Sequence, residues 1–136
     1  MILTPSNGGR LWSQWKWTSI PLMVMRLMPW EFYNRGGFAF YEDGQVATIQ
    51  AWLTFERSGP ITSYSGYAVY DFTDGSTKVA RLEGTGDPGG EQQGSFTIQS
   101  GSGRFKGITG EGNFVGHGFA PYGDIYVDVT ARYLLP

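Results

Sequence analysis

Hydrophobic and polar residues alternate with a period of two along most of the chain, which is typical of strands that bury one face. Within residues 46–57, one face carries Ala47, Ile49, Ala51, Leu53 and Phe55. The same alternation predicts further strands over residues 10–18, 37–41, 62–73, 76–85, 94–99, 110–116 and 124–135. About eight strands without a long amphipathic helix indicate an all-β fold.

Two Asp-Gly pairs, Asp43-Gly44 and Asp74-Gly75, separate neighbouring predicted strands. Both residue types accept the positive φ of a type I′ turn, so these pairs predict antiparallel hairpins. A sheet without covering helices either packs against a second sheet or closes on itself, and closure removes exposed edges. We therefore expect residues 1–136 to form one domain, a closed antiparallel barrel of about eight strands, with a two-sheet sandwich as the alternative.

Residues 20–30 depart from the period of two. They contain Pro21, Pro29 and three methionines, and they also carry Arg26. The segment is too short and too interrupted to span a membrane. It predicts a short helix or an irregular flap, and because methionine adapts to varied shapes, we expect it to cover one mouth of the barrel over a hydrophobic ligand.

A glycine-rich element in the C-terminal half reads GSGRFKGITGEGNF over residues 101–114. Its glycines permit tight turns and bulges, and Phe105 and Ile108 are expected to plug one end of the barrel. The element resembles the G-[ST]-G-x-F-x-G-[IV]-x-G-x-G element of allene oxide cyclase and dirigent-type barrels and their bacterial relatives. The resemblance implies an allene oxide cyclase-like barrel of eight strands, of the calycin type and frequently oligomeric, whose cavity steers the cyclisation or coupling of hydrophobic intermediates.

The charge balance of the chain limits the classes of binding partner that we expect. Ten Lys and Arg residues face twelve Asp and Glu residues without a basic stripe, which argues against a nucleic-acid partner. Charged residues make up 16% of the chain and aromatic residues another 16%, so apolar surface is expected on more than one face. This composition predicts a small hydrophobic ligand and a homodimer or homotrimer. The N-terminal residues lack the pattern of a secretory signal, so we expect a cytoplasmic protein without a membrane partner.

The sequence gives little support for the common kinds of catalytic centre. The chain has no cysteine, and its one histidine, His117, lies between two glycines and is interpreted as a solvent-facing turn residue. A hydrolytic triad and a metal site are therefore not expected. The glycine-rich element lacks the G-K-[ST] ending of a phosphate loop. We expect neither a metal nor a cofactor.

The densest mixture of acid, ring and base is residues 31–35. Here Glu31 is the candidate general base, and Tyr33 and Arg35 are candidates for polarising a carbonyl. The alternative is a surface ion pair beside a core ring. Large rings and polar groups on strand faces are the candidate ligand-binding residues, because such groups suit an amphipathic pocket: Trp30, Tyr41, Trp52, Tyr64, Tyr70, Arg81 and Tyr126.

Three functions remain open. The first is a cofactor-independent cyclase or isomerase of natural product biosynthesis that folds a polyketide- or terpenoid-like intermediate inside the barrel. The second is a non-catalytic carrier of a hydrophobic molecule. The third is a packed barrel that acts as an oligomeric interaction module.

Overall fold

The computed structural model describes the backbone of residues 4–6, 10–27, 30–119 and 124–136, and the side chains of residues 36–118 and 126–136. Within these residues the regular elements are strands and one short 3-10 turn, Gly103–Phe105. The strands are β1 (Thr4–Ser6), β2 (Arg10–Leu27), β3 (Trp30–Tyr41), β4 (Val46–Ser58), β5 (Ile61–Phe72), β6 (Thr77–Gly86), β7 (Glu91–Ser102), β8 (Thr109–Phe119) and β9 (Asp124–Leu134).

All described strands belong to one antiparallel sheet in which each strand pairs with the next in sequence. In addition, β2 pairs with β9, from Arg10 opposite Leu134 to Ser19 opposite Ile125. The sheet therefore curls until its second and last strands are hydrogen-bonded, as in a barrel. The all-β antiparallel prediction is confirmed, and the alternative of two packed sheets does not describe these strands.

The alternation in the sequence sorts the two faces of the sheet as expected. On β4, Ala47, Ile49, Ala51 and Leu53 are buried, whereas the residues between them are exposed or half-buried. On β9, Val127, Val129, Ala131 and Tyr133 are buried in the same way. Alternate residues of a strand point to opposite faces, so these positions form the apolar interior of the curled sheet.

The prediction of a helix or irregular flap over residues 20–30 is wrong for the described part of that segment. Residues 20–27 continue β2, and Trp30 begins β3, with Leu27 opposite Trp30. Pro21 is accommodated because the register shifts between Pro21 and Met23, and a bulge tolerates the missing N–H of proline. Beyond Ser19 the ladder to β9 has ended, so this stretch extends the hairpin rather than folding back as a lid.

Smaller corrections concern β6, β7 and β8. The strand predicted over residues 76–85 continues to Gly86, and the strand predicted over residues 94–99 already begins at Glu91. Gly90, at φ 90°, completes the tight turn between them. His117 lies within β8 rather than in a turn, although it faces solvent as expected.

The glycine-rich element closes one end of the interior as predicted. The 3-10 turn places Phe105 beside Phe72, with ring centroids 4.8 Å apart. Phe105 and Ile108 are both buried. Gly103 and Gly107 have φ values of 61° and 78°, which few other residues adopt, so the turn depends on them. We call this end of the molecule the plugged end.

Candidate functional site

A lysine lies inside the plugged end. Lys78 is on the inward face of β6, in line with Ala80 and Leu82, and its exposed fraction is 3%. Its Nζ donates a hydrogen bond of 3.0 Å to the hydroxyl of Tyr41. Buried ammonium groups are rare in protein interiors because removal from water is costly. Lys78 is therefore the feature of the interior that most needs an explanation.

Aromatic rings surround the Lys78 amine. The centroids of five rings lie 4.9–5.7 Å from Nζ, and they come from four different elements, β3, β5, the 3-10 turn and β9: Tyr41, Tyr70, Phe72, Phe105 and Tyr133. Ring faces attract an ammonium ion, whereas removal from water favours the neutral amine. Burial is the larger effect here: together with the Arg104 guanidinium, and against a smaller influence of Asp43, it lowers the pKa of Lys78 to about 7.

The pKa values of the tyrosines beside Lys78 shift upward, in the opposite direction to that of Lys78. Burial raises the pKa values of both Tyr41 and Tyr70 well above the ordinary value of a tyrosine. Burial also raises the pKa of Tyr133, to about 12. Near neutral pH the site therefore contains hydroxyl groups that keep their protons and an amine that is partly neutral.

A second cation closes the plugged end from the solvent side. The Arg104 guanidinium lies 4.8 Å from the centroid of the Phe72 ring and 4.6 Å from that of the Phe105 ring. Both rings also belong to the five that surround the Lys78 amine. Arg104 also donates a hydrogen bond of 2.6 Å to Asp74 and contacts Gln45. The hydrogen bond from the Ser76 backbone, more than Arg104 itself, lowers the pKa of Asp74. The 3-10 turn Gly103–Phe105 forms the plug, and Arg104 links it to the two hairpin turns that contain Asp74 and Gln45.

The opposite end of the interior is lined by rings. Phe55 and Tyr64 lie 5.2 Å apart, and Tyr64 stacks on Phe114 at 6.4 Å. The Tyr64 hydroxyl donates a hydrogen bond of 3.0 Å to Oε1 of Gln92. We call this the ring-lined end; it combines a large apolar surface with one polar pair, as ligand entrances frequently do.

Between the two ends lies a cavity of about 50 Å³. Its wall is almost entirely apolar and includes Ala51, Ala68, Tyr70, Phe96 and Val129. A wider and more open pocket of about 1060 Å³ runs across β4–β8 at the level of the ring-lined end, and its lining combines Phe55, Tyr64 and Phe114 with Ser, Thr, Gln, Asn and Glu side chains. We take the interior as the candidate site, because apolar walls and polar groups with shifted pKa values converge there.

The structure separates the predicted ligand-binding residues into two groups. Tyr41, Tyr64 and Tyr70 are buried in the interior. Trp52 and Arg81 lie on the outer face, in one cross-strand row through Tyr67. Tyr126 alternates with the buried residues of β9 and donates a hydrogen bond of 3.3 Å to Asp128. The interior therefore brings together three of the predicted residues.

The predicted catalytic residues lie on β3. Glu31 is opposite Phe55, Tyr33 is opposite Leu53, and Arg35 is opposite Ala51 in the β3–β4 ladder. Their side chains, and that of Trp30, lie outside the described residues. Their catalytic roles remain predictions.

Sequence reasoning did not select Lys78 as a candidate. Lys78 lies on the same strand face as Ala80 and Leu82, and that face is the buried one. A lysine in phase with apolar residues was the available signal. Among the described residues, no group of three His, Asp or Glu side chains is arranged to hold a metal ion. No described helix has the length and apolar character needed to cross a membrane.

Comparison with solved structures supports the fold. The chain is similar to the pterocarpan synthase dirigent protein GePTS1, with a TM-score of 0.58 and 10% sequence identity, over 96% of this chain and 88% of that one. This likeness confirms a dirigent-type β-barrel fold, as the glycine-rich element implied. The relation to allene oxide cyclases and a bacterial origin remain predictions. No protein-family model and no curated protein sequence matches the chain.

Proposed function

We propose that this protein binds a hydrophobic small molecule inside its barrel and directs the cyclisation of that molecule without a cofactor. The observation that supports this proposal is a mainly apolar interior with a hydrogen-bonded polar pair at each end, Tyr64 with Gln92 and Lys78 with Tyr41. Apolar walls hold a hydrophobic ligand, and a few polar groups fix its orientation. Holding one conformer near its reactive geometry lowers the barrier of a ring closure.

Binding in the interior requires a closed wall. We propose that β2–β9 form a closed barrel of eight strands, and the pairing of β2 with β9 supports this. The likeness to GePTS1, a pterocarpan synthase, supports the proposal at the level of the fold. The proposed entrance is the ring-lined end, because the plugged end is closed by Phe105 and Ile108.

The cavity is small compared with the roughly 300–1,000 Å³ of ordinary ligand sites, so a ligand must displace rings as it enters. Phe55 and Phe114 are half-buried, and turning them outward would widen the entrance beside Tyr64. Glu31 remains our proposed general base, with Tyr33 and Arg35 as the groups that polarise a carbonyl. Glu31→Gln is expected to lower turnover more than affinity.

Ligand binding can be measured with N-phenyl-1-naphthylamine, a neutral fluorophore that brightens in apolar sites. Ala51 lines the cavity, so Ala51→Leu should fill the cavity and weaken probe binding about 10-fold, in line with the roughly 1–3 kcal/mol cost of overpacking. Thr48→Leu, on the exposed face of the same strand, is the matched control and should leave binding unchanged. Equal binding by both variants would contradict an interior site.

Cyclisation is distinguished from carriage by the bound molecule itself. Ligand that copurifies with the protein is extracted before and after incubation and compared by chromatography and mass spectrometry. A cyclase converts the ligand to an isomer of equal mass and different retention, whereas a carrier returns it unchanged. Conversion by the wild type that Glu31→Gln loses would support Glu31 as the base.

The small cavity favours a second function, an interaction module with a packed interior. Within the described residues, the interior contains mainly the protein's own rings and aliphatic side chains. A module of this kind would bind no probe and would be unaffected by Ala51→Leu except in stability. The fluorophore titration therefore separates the two proposals.

A further inference from the structure

The Lys78 amine has the surroundings of a reactive lysine. It is 3% exposed, it touches the Tyr41 hydroxyl at 3.0 Å, and it sits among five rings. A lysine becomes nucleophilic when an apolar site or a nearby cation keeps its amine neutral. Both conditions hold here, because burial and Arg104 lower the pKa of Lys78 to about 7.

The amine adjoins the interior cavity. Tyr70 forms part of the cavity wall, and its ring centroid is 5.7 Å from Nζ of Lys78. On the other side, the Phe72 and Phe105 rings separate the amine from Arg104 and solvent. A molecule that enters through the ring-lined end would therefore reach Lys78 past the Tyr70 ring.

We infer that Lys78 forms an imine with the carbonyl group of a hydrophobic aldehyde or ketone held in the barrel. The inference rests on the proposed function and narrows its ligand to carbonyl compounds. The five rings around Nζ and the apolar wall of the cavity would keep bulk water from the imine and slow its hydrolysis, so the adduct would persist long enough to orient the rest of the ligand.

The reaction balances with the groups present. The Nζ lone pair forms a bond to the carbonyl carbon as the C=O π bond breaks, and one of the two Nζ protons passes to the carbonyl oxygen by way of the Tyr41 hydroxyl to give a neutral carbinolamine. The C–O bond then breaks, the departing hydroxyl takes a proton from the Tyr41 hydroxyl, and water leaves. The nitrogen gives its remaining proton to the Tyr41 oxygen as the C=N bond forms. A hydroxyl both donates and accepts hydrogen bonds, so Tyr41 can serve in both steps.

The ionisable groups around Lys78 determine the pH range in which its amine is neutral. The described titratable groups that act on Lys78 come from β3, β5, β9, the β3–β4 turn and the plug: Tyr41, Tyr70, Tyr133, Asp43 and Arg104. The tyrosines stay protonated near neutral pH, because burial raises their pKa values. At pH 7 about half of the Lys78 amine is then neutral, whereas an ordinary lysine has about one neutral amine in 2,500.

The test is reductive trapping with hexanal and sodium cyanoborohydride, which reduces imines, followed by peptide mass spectrometry. The chain has three lysines, Lys16, Lys78 and Lys106, and the exposed Lys106 is the internal control. At pH 7 we expect at least about 10-fold more adduct on Lys78 than on Lys106. Below pH 7 labelling of Lys78 should fall off, with a midpoint near its pKa of about 7. Lys78→Met should remove the adduct and keep the circular dichroism spectrum.

Tyr70→Ala keeps the test decisive by opening the path from the cavity, so it should accelerate labelling of Lys78. An adduct on Lys106 alone overturns the inference, and so does labelling of Lys78 that occurs only in Tyr70→Ala. If the naphthylamine probe binds while Lys78 stays unlabelled, only the inference fails. If the wild type binds neither probe nor aldehyde, the proposed ligand site fails with it.

Discussion

The Nζ atom of Lys78 lies 3.0 Å from the hydroxyl oxygen of Tyr41, although the two residues belong to strands that do not pair. Lys78 is on β6 and Tyr41 on β3, with β4 and β5 between them in the sheet. The hydrogen bond therefore crosses the interior. It shows that the plugged end is narrow enough for opposite walls to touch, and it makes the polar pair part of the core.

The buried amine should make stability depend on pH. Folding lowers the pKa of Lys78 from 10.5 to about 7, so between these values the unfolded chain binds a proton that the folded chain does not. Stability must then rise with pH over this window, by up to about 1.4 kcal/mol per pH unit. Above pH 10 the raised pKa values of the buried tyrosines make stability fall as the pH rises, because the folded chain keeps protons that the unfolded chain has lost.

The measurement is urea unfolding between about pH 5.5 and about pH 9.5 for the wild type and Lys78→Met. The wild type should gain stability with pH relative to the variant, and below pH 7 the difference should level off. Lys106→Met, at an exposed lysine, should parallel the wild type. Parallel curves for the wild type and Lys78→Met would contradict a lowered pKa for Lys78.

The plug should be important for stability. Phe105 is buried against Phe72 with centroids 4.8 Å apart. Phe105→Ala should lower the free energy of unfolding by about 3–5 kcal/mol, since it removes a core ring and leaves a void. Tyr67→Ala removes a ring from an exposed position outside the Phe38–Phe40 patch and should change stability by less than about 0.5 kcal/mol. Comparable losses in the two variants would show that the plug does not contribute to the core.

Sequence reasoning predicted the strands and sorted their residues into two faces, because one-sided burial imposes a period of two on each strand. It left open which of the two faces points inward, and the structure places the aliphatic face inside. Sequence reasoning worked for Ala51 and Leu53 on β4 and for Val127 and Val129 on β9. It failed over residues 20–27, where Pro21 suggested a break. A bulge at Pro21 lets the strand continue, and a bulge depends on the partner strand rather than on local sequence.

The site was harder to predict than the fold. Trp52 and Arg81 were chosen by residue type, and the register places them outside. Lys78 was passed over because a single lysine on a strand is ordinarily solvated. Its burial depends on rings supplied by strands far apart in sequence, such as those of Tyr41 and Tyr133, and no local pattern contains that information.

The ring-lined end should depend on a glycine. A Cβ atom added at Gly84 would lie 2.7 Å from the Tyr64 ring and 2.8 Å from the Gln93 carbonyl oxygen. Gly84→Ala should therefore displace Tyr64, break its hydrogen bond to Gln92 and cost about 1–3 kcal/mol, as overpacking does. Gly86→Ala, on the same strand, meets its nearest atom at 3.4 Å and is the control. Thermal unfolding of both variants decides the matter; equal midpoints would count against the packing of Tyr64 over Gly84.

Exposed rings on the outer face should mediate self-association. Phe38 and Phe40 are 47% and 52% exposed, their centroids are 6.3 Å apart, and the exposed Val46 lies opposite Phe40. Contiguous apolar surface of this kind is unusual on a monomer and typical of interfaces. It is consistent with the homodimer or homotrimer that the composition predicts.

Replacing both rings should separate the subunits. We expect light scattering to give a dimer or trimer for the wild type at micromolar concentration and a monomer for the double variant Phe38→Ser with Phe40→Ser. Both side chains point outward, so the variant should keep its circular dichroism spectrum. Val115→Ser removes a similarly exposed apolar residue from β8 and should leave the assembly intact. A wild type that remains monomeric over this range would refute the predicted association, and an unchanged oligomer in the double variant would place the interface on another face of the barrel.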